Sequence, residues 1–228
     1  MATSEVKGEL VTTATGKQNR SDPWEMALIH RLLGHSFSQA SEAVLRPGPE
    51  SRVKAVASYV TFRLDGLEAH HTSEDALIWP ALYDRASPSN ELIRRMESQH
   101  ELVHEAIDTV RREAGRWQQG PGSERAEAVA ASIRVLLERL NEHLAEEERD
   151  VVPLIAAHIS QQEWEHLGKT SFGKFTPAQR FTAMGEMLAV AKPQEAARML
   201  KGLPAPVRLV WKLIGRRKYD RTMAQVRG

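Results

Sequence analysis

Histidine and glutamate recur in this chain at spacings that suit a metal ion. One phrase occurs twice: His70-His71-Thr72-Ser73-Glu74, followed by Pro80, and His143-Leu144-Ala145-Glu146-Glu147, followed by Pro153. Aligned on the prolines, both copies read His, three residues, Glu, five residues, Pro. Between them lies His100-x-x-x-His104, and upstream lies His30. A spacing of four places two side chains on one helix face, one turn apart. Imidazole and carboxylate together suit iron, zinc or manganese. Three such pairs with His30 as a seventh ligand describe a two-metal site inside a helical bundle. In it Glu74 and Glu147 would bridge two ions, and an open position on one ion would receive a small reactant.

Such a site needs helices that bring distant segments to one level, and the sequence supplies them. Ser21 or Asp22 is placed to cap a first helix with Pro23 in its first turn. Met26, His30, Leu33, Phe37, Ala40 and Val44 form its inner stripe, and Arg46 to Ser51, with two prolines and a glycine, ends it. A second helix is predicted from about Arg52 to Arg85, with Val53, Val56, Val60, Leu67, His70, Glu74 and Leu77 inward. A third runs from about Pro88 to Gln118 with Met96, His100, Val103, His104, Ile107 and Val110 inward. Gly120 to Ser123 breaks the chain, and a fourth helix starts near Glu124, carrying Val129, Ile133, Leu136, Leu140, His143, Glu147 and Val151. Pro153 kinks or tightens its end. Four long helices with short connections make an all-α, up-down-up-down four-helix bundle. Antiparallel neighbours then bring the seven ligands to a common depth near one end.

Beyond Ser160 the pattern changes. Glu163 to His166 reads as a short helix leaving the bundle, Gly168 and Gly173 flank a loop, and four further prolines punctuate short helices. The last of these has Val207, Val210, Trp211 and Ile214 on one side, with Arg208, Lys212, Arg216 and Arg217 around them. The organisation expected is a flexible N-terminal tail over 1–21, a bundle over 22–160 and a C-terminal helical extension over 161–228. The extension from Lys192 onward has ten Lys or Arg against Glu195 and Asp220, a charge of +8, so the +1 of the whole chain leaves the rest at −7. That asymmetry and the apolar stripe predict that the extension folds back onto the acidic bundle.

Composition narrows the chemistry. The absence of cysteine excludes disulfides, iron–sulfur clusters and thiolate zinc sites. No apolar run approaches the roughly 20 residues that span a bilayer, and Met1 to Arg20 lacks the apolar stretch of a signal peptide. A cytoplasmic protein is expected, with neither nucleic acid nor membrane as partner.

These residues resemble the hemerythrin family in its bacterial HHE-domain branch, over about Trp24 to Ala157. The family pattern is a lone His on helix one, His-x-x-x-Glu on helix two, His-x-x-x-His on helix three, and a carboxylate after a His on helix four. His30, His70 with Glu74, His100 with His104, and His143 with Glu147 match it. The resemblance implies two non-heme irons, oxo- or hydroxo-bridged, that bind or react with dioxygen, nitric oxide or peroxide. A role in oxidative or nitrosative stress, in sensing or in oxygen storage, would follow, as would a regulatory module answering to iron or oxygen. Blood-pigment members carry an Asp one residue beyond the position of Glu147, which aligns this chain with the sensing and reactive relatives. Two positions have alternatives. His35 competes with His30, and His71 with Asp75 repeats the spacing of His70 and Glu74 one residue further on. The proline register favours His70 and Glu74 as ligands.

Overall fold

The structure is a computed structural model that describes residues 20–228 apart from residue 174; most of the expected N-terminal tail lies outside the described residues. Four long helices form the bundle: α1 (Trp24–Leu45), α2 (Glu50–Ser73, continued through α3, Trp79–Arg85), α4 (Asn90–Gln119) and α5 (Ser123–Glu146, continued through α6, Val152–His158). α1 packs on α2 and α5, and α4 packs on α2 and α5, so α2 and α5 face each other across the bundle with α1 and α4 on the flanks. No strand occurs among the described residues. At the start of α1, Ser21 and Asp22 do not cap: Ser21 Oγ donates to the Ile155 carbonyl at 3.1 Å, and the Asp22 amide donates to Gln161 Oε1 at 3.1 Å.

The two prolines of the repeated phrase leave the same mark. A single π-helical turn joins α2 to α3 at Glu74–Ile78, and another joins α5 to α6 at Glu147–Val151. In each, the amide just before the proline bonds five residues back, Trp79 to the Glu74 carbonyl and Val152 to the Glu147 carbonyl. Proline has no amide hydrogen and its ring crowds the preceding turn, so the helix admits one extra residue there instead of breaking. The extra residue rotates everything after it. Leu77, expected inward, is 37% exposed, while Ile78 and Trp79 turn into the core. Each glutamate of the repeat therefore opens a widened turn.

The apolar interior is in two parts. A large cluster includes Leu33 and Phe37 of α1, Leu67 of α2, Val103 of α4 and Leu140 of α5. A smaller one includes Met26 of α1, Ile78 and Trp79, Met96 of α4 and Val151. On every bundle helix the histidine-bearing stretch lies between a member of one cluster and a member of the other, so the site is a polar layer between two apolar plugs.

The extension consists of α7 (Gln161–Gly173), α8 (Pro177–Val190), α9 (Pro193–Gly202), α10 (Ala205–Val210), a third π-helical turn (Trp211–Gly215) and α11 (Arg216–Arg227). α7 runs as helix through Gly168, where a loop was expected, and Trp164 and Leu167 of α7 close the smaller cluster. α8 lays Glu186 between α1 and α2, where it accepts from Ser36 Oγ at 3.2 Å and from the Tyr59 hydroxyl. Arg63 completes this buried group as an ion pair with Glu186 at 3.0 Å, its guanidinium 4.0 Å above the Phe62 ring. Burial, reinforced by the Glu186 charge, pushes the Tyr59 hydroxyl well above its ordinary range. α11 packs on α2 and α8, delivering Met223 and Val226 to the large cluster. Gly185 permits this, because a Cβ there would lie 2.3 Å from Tyr219 Cγ.

The extension thus folds back, but through other residues than expected. Val207, Val210 and Ile214 are 44, 42 and 48% exposed. The reason is register: only Trp211 and Gly215 turn toward α8, and the anchoring is done by α8 and α11. One consequence is measurable. Glu186→Ala leaves the Arg63 guanidinium buried without its partner and should lower unfolding stability in urea by about 3–5 kcal/mol. A loss below about 0.5 kcal/mol would mean that Glu186 does not hold the extension to the bundle.

Candidate metal centre

Seven side chains converge in the polar layer. α1 supplies His30, α2 supplies His70 and His71 with Glu74 at its end, α4 supplies His100, and α5 supplies His143 with Glu147 at its end. All but His70 are fully or almost fully buried, and the His70 side chain is 10% exposed. Their ligand atoms form three overlapping metal-sized groups: His71 with His100 and His143, His30 with His70 and Glu147, and His70 with His71 and Glu74.

The two glutamates tie these groups together. Glu74 lies 3.3 Å from His70 Nδ1 and 3.7 Å from His100 Nε2. Glu147 lies 3.3 Å from His30 Nε2 and 3.6 Å from His143 Nε2. Each carboxylate therefore reaches a histidine on the α1 side and one on the α4 side. The facing helices α2 and α5 provide the spanning carboxylates, and the flanking helices α1 and α4 provide an outer histidine each.

A ring of polar groups orients the imidazoles. His100 Nδ1 bonds Asp75 Oδ1 at 2.7 Å, and Trp79 Nε1 donates to the same oxygen at 2.8 Å. His30 Nδ1 bonds Glu148 Oε1 at 2.9 Å, and His143 Nδ1 bonds Gln99 Oε1 at 3.1 Å. The Gln99 amide is itself held, its Nε2 donating to Glu146 Oε2 at 2.7 Å while Arg95 Nε donates to Glu146 Oε1 at 2.7 Å. An oxygen of this kind only accepts, so Nδ1 carries a proton and each ring turns its Nε2 inward. The Nε2 atoms of His100 and His143 stand 3.2 Å apart. Two lone pairs facing at that distance repel unless a proton or a metal cation lies between them.

The remaining atoms tell the same story. His30 Nε2, His70 Nε2, both nitrogens of His71, and both oxygens of Glu74 and of Glu147 are buried with no hydrogen-bond partner. Leaving one such atom orphaned costs about 1–3 kcal/mol, and here they converge. The donor set fits a bound cation.

Without one, the layer balances its own charge. Burial, then the His30 charge, pushes His70 down to about 3, and burial drives His71 well below its usual range. Burial likewise brings His143 down to about 4. Burial and the nearby Glu147 charge raise Glu74 well above the carboxylate range. His30 is the exception: burial opposes its charge, but the Glu147 carboxylate 3.3 Å from Nε2 and the bond to Glu148 outweigh that and raise it to about 9. Glu147 is correspondingly held down to about 2, burial being overridden by the close contact with His30 and its charge. One protonated histidine thus occupies the electrostatic place of a metal.

The chain matches the hemerythrin HHE cation-binding domain over residues 25–155, which span α1 to α6. The chain belongs to the hemerythrin family. No curated protein and no solved structure matches it. As a hemerythrin domain, the bundle binds metal cations, and the histidine–glutamate clusters supply the means.

Of the seven residues expected as ligands, the structure brings together His30, His70, Glu74, His100, His143 and Glu147. His104 stands outside the three groups, partly exposed, with its ring 6.1 Å from that of His71. His71, which the proline register set aside, is inside, its ring stacked on His100 at 4.0 Å. A signal for it was present: Glu74 is four residues from His70 and three from His71, and both spacings make helix neighbours. Asp75 lies outside the three groups and bonds His100 Nδ1. His35 is exposed on the outer face of α1, and Tyr59 is committed to Glu186.

Cation uptake has to expel the protons that otherwise balance the layer. His30, raised to about 9, holds its proton at neutral pH, so metal binding should release at least that proton. Titration calorimetry in buffers of different ionisation enthalpy reads this directly. Metal affinity should fall steadily on acidification; pH-independent uptake without proton release would contradict the arrangement.

Proposed function

We propose that this hemerythrin-family protein holds two non-heme irons and binds or reacts with dioxygen, nitric oxide or peroxide, in a response to oxidative or nitrosative stress. The observation that carries this reading is the pair of glutamates, each in reach of one histidine on either side of the layer. A single ion needs no such duplication. Five histidines and two bridging carboxylates provide a donor set for two ions, with His71 in the place the sequence pattern gave to His104. Neutral nitrogen donors with few anions suit iron that changes oxidation state. When bound, the irons supply a redox-active pair with a position open to a small ligand.

The chain's own residues supply the rest. His71, His100 and His143 would hold one ion, His30 and His70 the other, with Glu74 and Glu147 in reach of both. Asp75, Gln99 and Glu148 fix the rings. Glu148 and Asp75 are partly exposed, so they connect the Nδ1 protons of His30 and His100 to solvent. The apolar clusters on either side keep bulk water out, and the enclosure favours reactants of two or a few atoms over larger substrates.

Protein produced with ample iron should contain two irons per chain by elemental analysis. His71→Ala should lose at least one of them, and His104→Ala should retain both; the reverse result would restore His104 as the ligand. One tightly held zinc in place of iron would overturn the reading altogether.

Reactivity separates turnover from storage. The acidic stretch Glu146 to Asp150 and the partly exposed Glu148 give protons a route to the layer, and a site open to protons would favour reaction over a stable adduct. The reduced protein should oxidise rapidly in air and consume peroxide or nitric oxide in stopped-flow absorbance measurements. A reversible oxygen adduct persisting for hours would favour storage and defeat this proposal.

A further inference from the structure

The largest run of uncovered apolar side chains lies far in sequence from the metal layer, on α10 and the π-helical turn that follows it. Val207, Leu209, Val210, Leu213 and Ile214 are 42–56% exposed within eight residues. The helix sits on the protein by its opposite side: Trp211 and Gly215 face α8, where a Cβ on Gly215 would lie 2.7 Å from Phe181. The apolar arc is therefore turned outward by the same contact that anchors the helix. Exposed basic residues border it. Arg208, Lys212 and Arg216 recur every four residues along one rim, and Arg217 follows. From Ala196 through Tyr219 the chain carries seven Lys or Arg and no acidic residue.

We propose that this segment docks the protein on an anionic lipid surface, with Leu209, Leu213 and their apolar neighbours entering the interface and the basic rim contacting the headgroups. An apolar arc rimmed by cations on an outward-facing helix has the form of an interfacial helix. Charge complementarity selects the occupant. A second copy would bring two basic rims face to face in a symmetric contact, and the like charges would repel. A nucleic-acid backbone would satisfy the rim but leave the apolar arc without a role. Among the described residues no helix is long and apolar enough to cross a membrane, so the contact is with the surface alone. It replaces the expectation from the sequence that a membrane is no partner. The buried Glu186 group and α11 hold the segment on the bundle, so the bundle would be brought to the surface with it.

The test is vesicle co-sedimentation of the full-length protein, with phosphatidylglycerol–phosphatidylcholine vesicles against phosphatidylcholine alone. Binding is expected to the anionic vesicles and to weaken with added salt. Each Lys or Arg near such a surface contributes about fivefold in affinity, so K212Q/R216Q should lower partitioning by more than tenfold. L209S/L213S should lower it by a similar factor. All four positions are exposed, so both variants should keep the wild-type melting temperature, which checks that folding is intact. Absence of binding to anionic vesicles, or equal binding by the leucine variant, overturns the proposal. So does a wild-type dimer in sedimentation analysis that L209S/L213S dissociates, or retention on duplex DNA in the absence of vesicle binding.

Discussion

Seven ionisable side chains share one layer of this bundle, and water is kept from them on two sides. Placing ionised carboxylates in such surroundings is costly unless opposite charge is close. In the protein by itself only partial solutions exist. His30 keeps a proton to face Glu147, burial and the Glu147 charge push Glu74 toward its neutral form, and burial holds His70, His71 and His143 neutral. The Nε2 atoms of His100 and His143 face each other with at most one proton between them, and both nitrogens of His71 have no partner. A cation relieves all of these together. The rest of the architecture is arranged around that requirement, since four helices must present these groups at one depth and hold them there.

The device that sets the depth is local. In both copies of the repeated phrase a proline forces one extra residue into the helix, and the widened turn begins at the glutamate. Glu74 and Glu147 therefore enter the layer from α2 and α5 in equivalent ways, facing each other across the bundle. The histidines of α1 and α4 then meet them from the flanks. Orientation comes from a further set of side chains. Asp75, Gln99 and Glu148 each hold an Nδ1, and the chain from Arg95 through Glu146 to Gln99 fixes the one amide whose direction matters.

The extension divides its work between bracing and exposure. α7 seals the smaller apolar cluster beside the metal layer. α8 and α11 clamp α1 to α2 through Glu186, Arg63 and Tyr59 and through the apolar contacts of Met223 and Val226. Arg52 adds to this end by donating to the carbonyls of Ala43 and Val226 at 3.0 and 2.9 Å. α10 is left outward, because the close approach at Gly215 commits the opposite side of the helix to α8. A charge asymmetry that looks like simple attraction between tail and body thus resolves into specific bonds at the anchors and unspent cations on α10.

The four-helix pattern, its breaks and most of the layer could be read from spacing alone, because a helix face repeats with a fixed period and buried histidines and glutamates stand out on an apolar stripe. The inner faces of α1 and α5 were legible residue by residue for that reason. What spacing could not convey was rotation. Whether α2 turns His70, His71 or both toward the layer depends on how its core residues pack against α1 and α4, and the two histidines are only one residue apart on the helix. The same packing set His104 aside and, with the extra residue after Glu74, exchanged Leu77 for Ile78 and Trp79. The fate of the apolar stripe on α10 was also tertiary. An amphipathic pattern shows that a face exists, but which arc is covered is decided by the contact that forms, and here Trp211 and Gly215 made it.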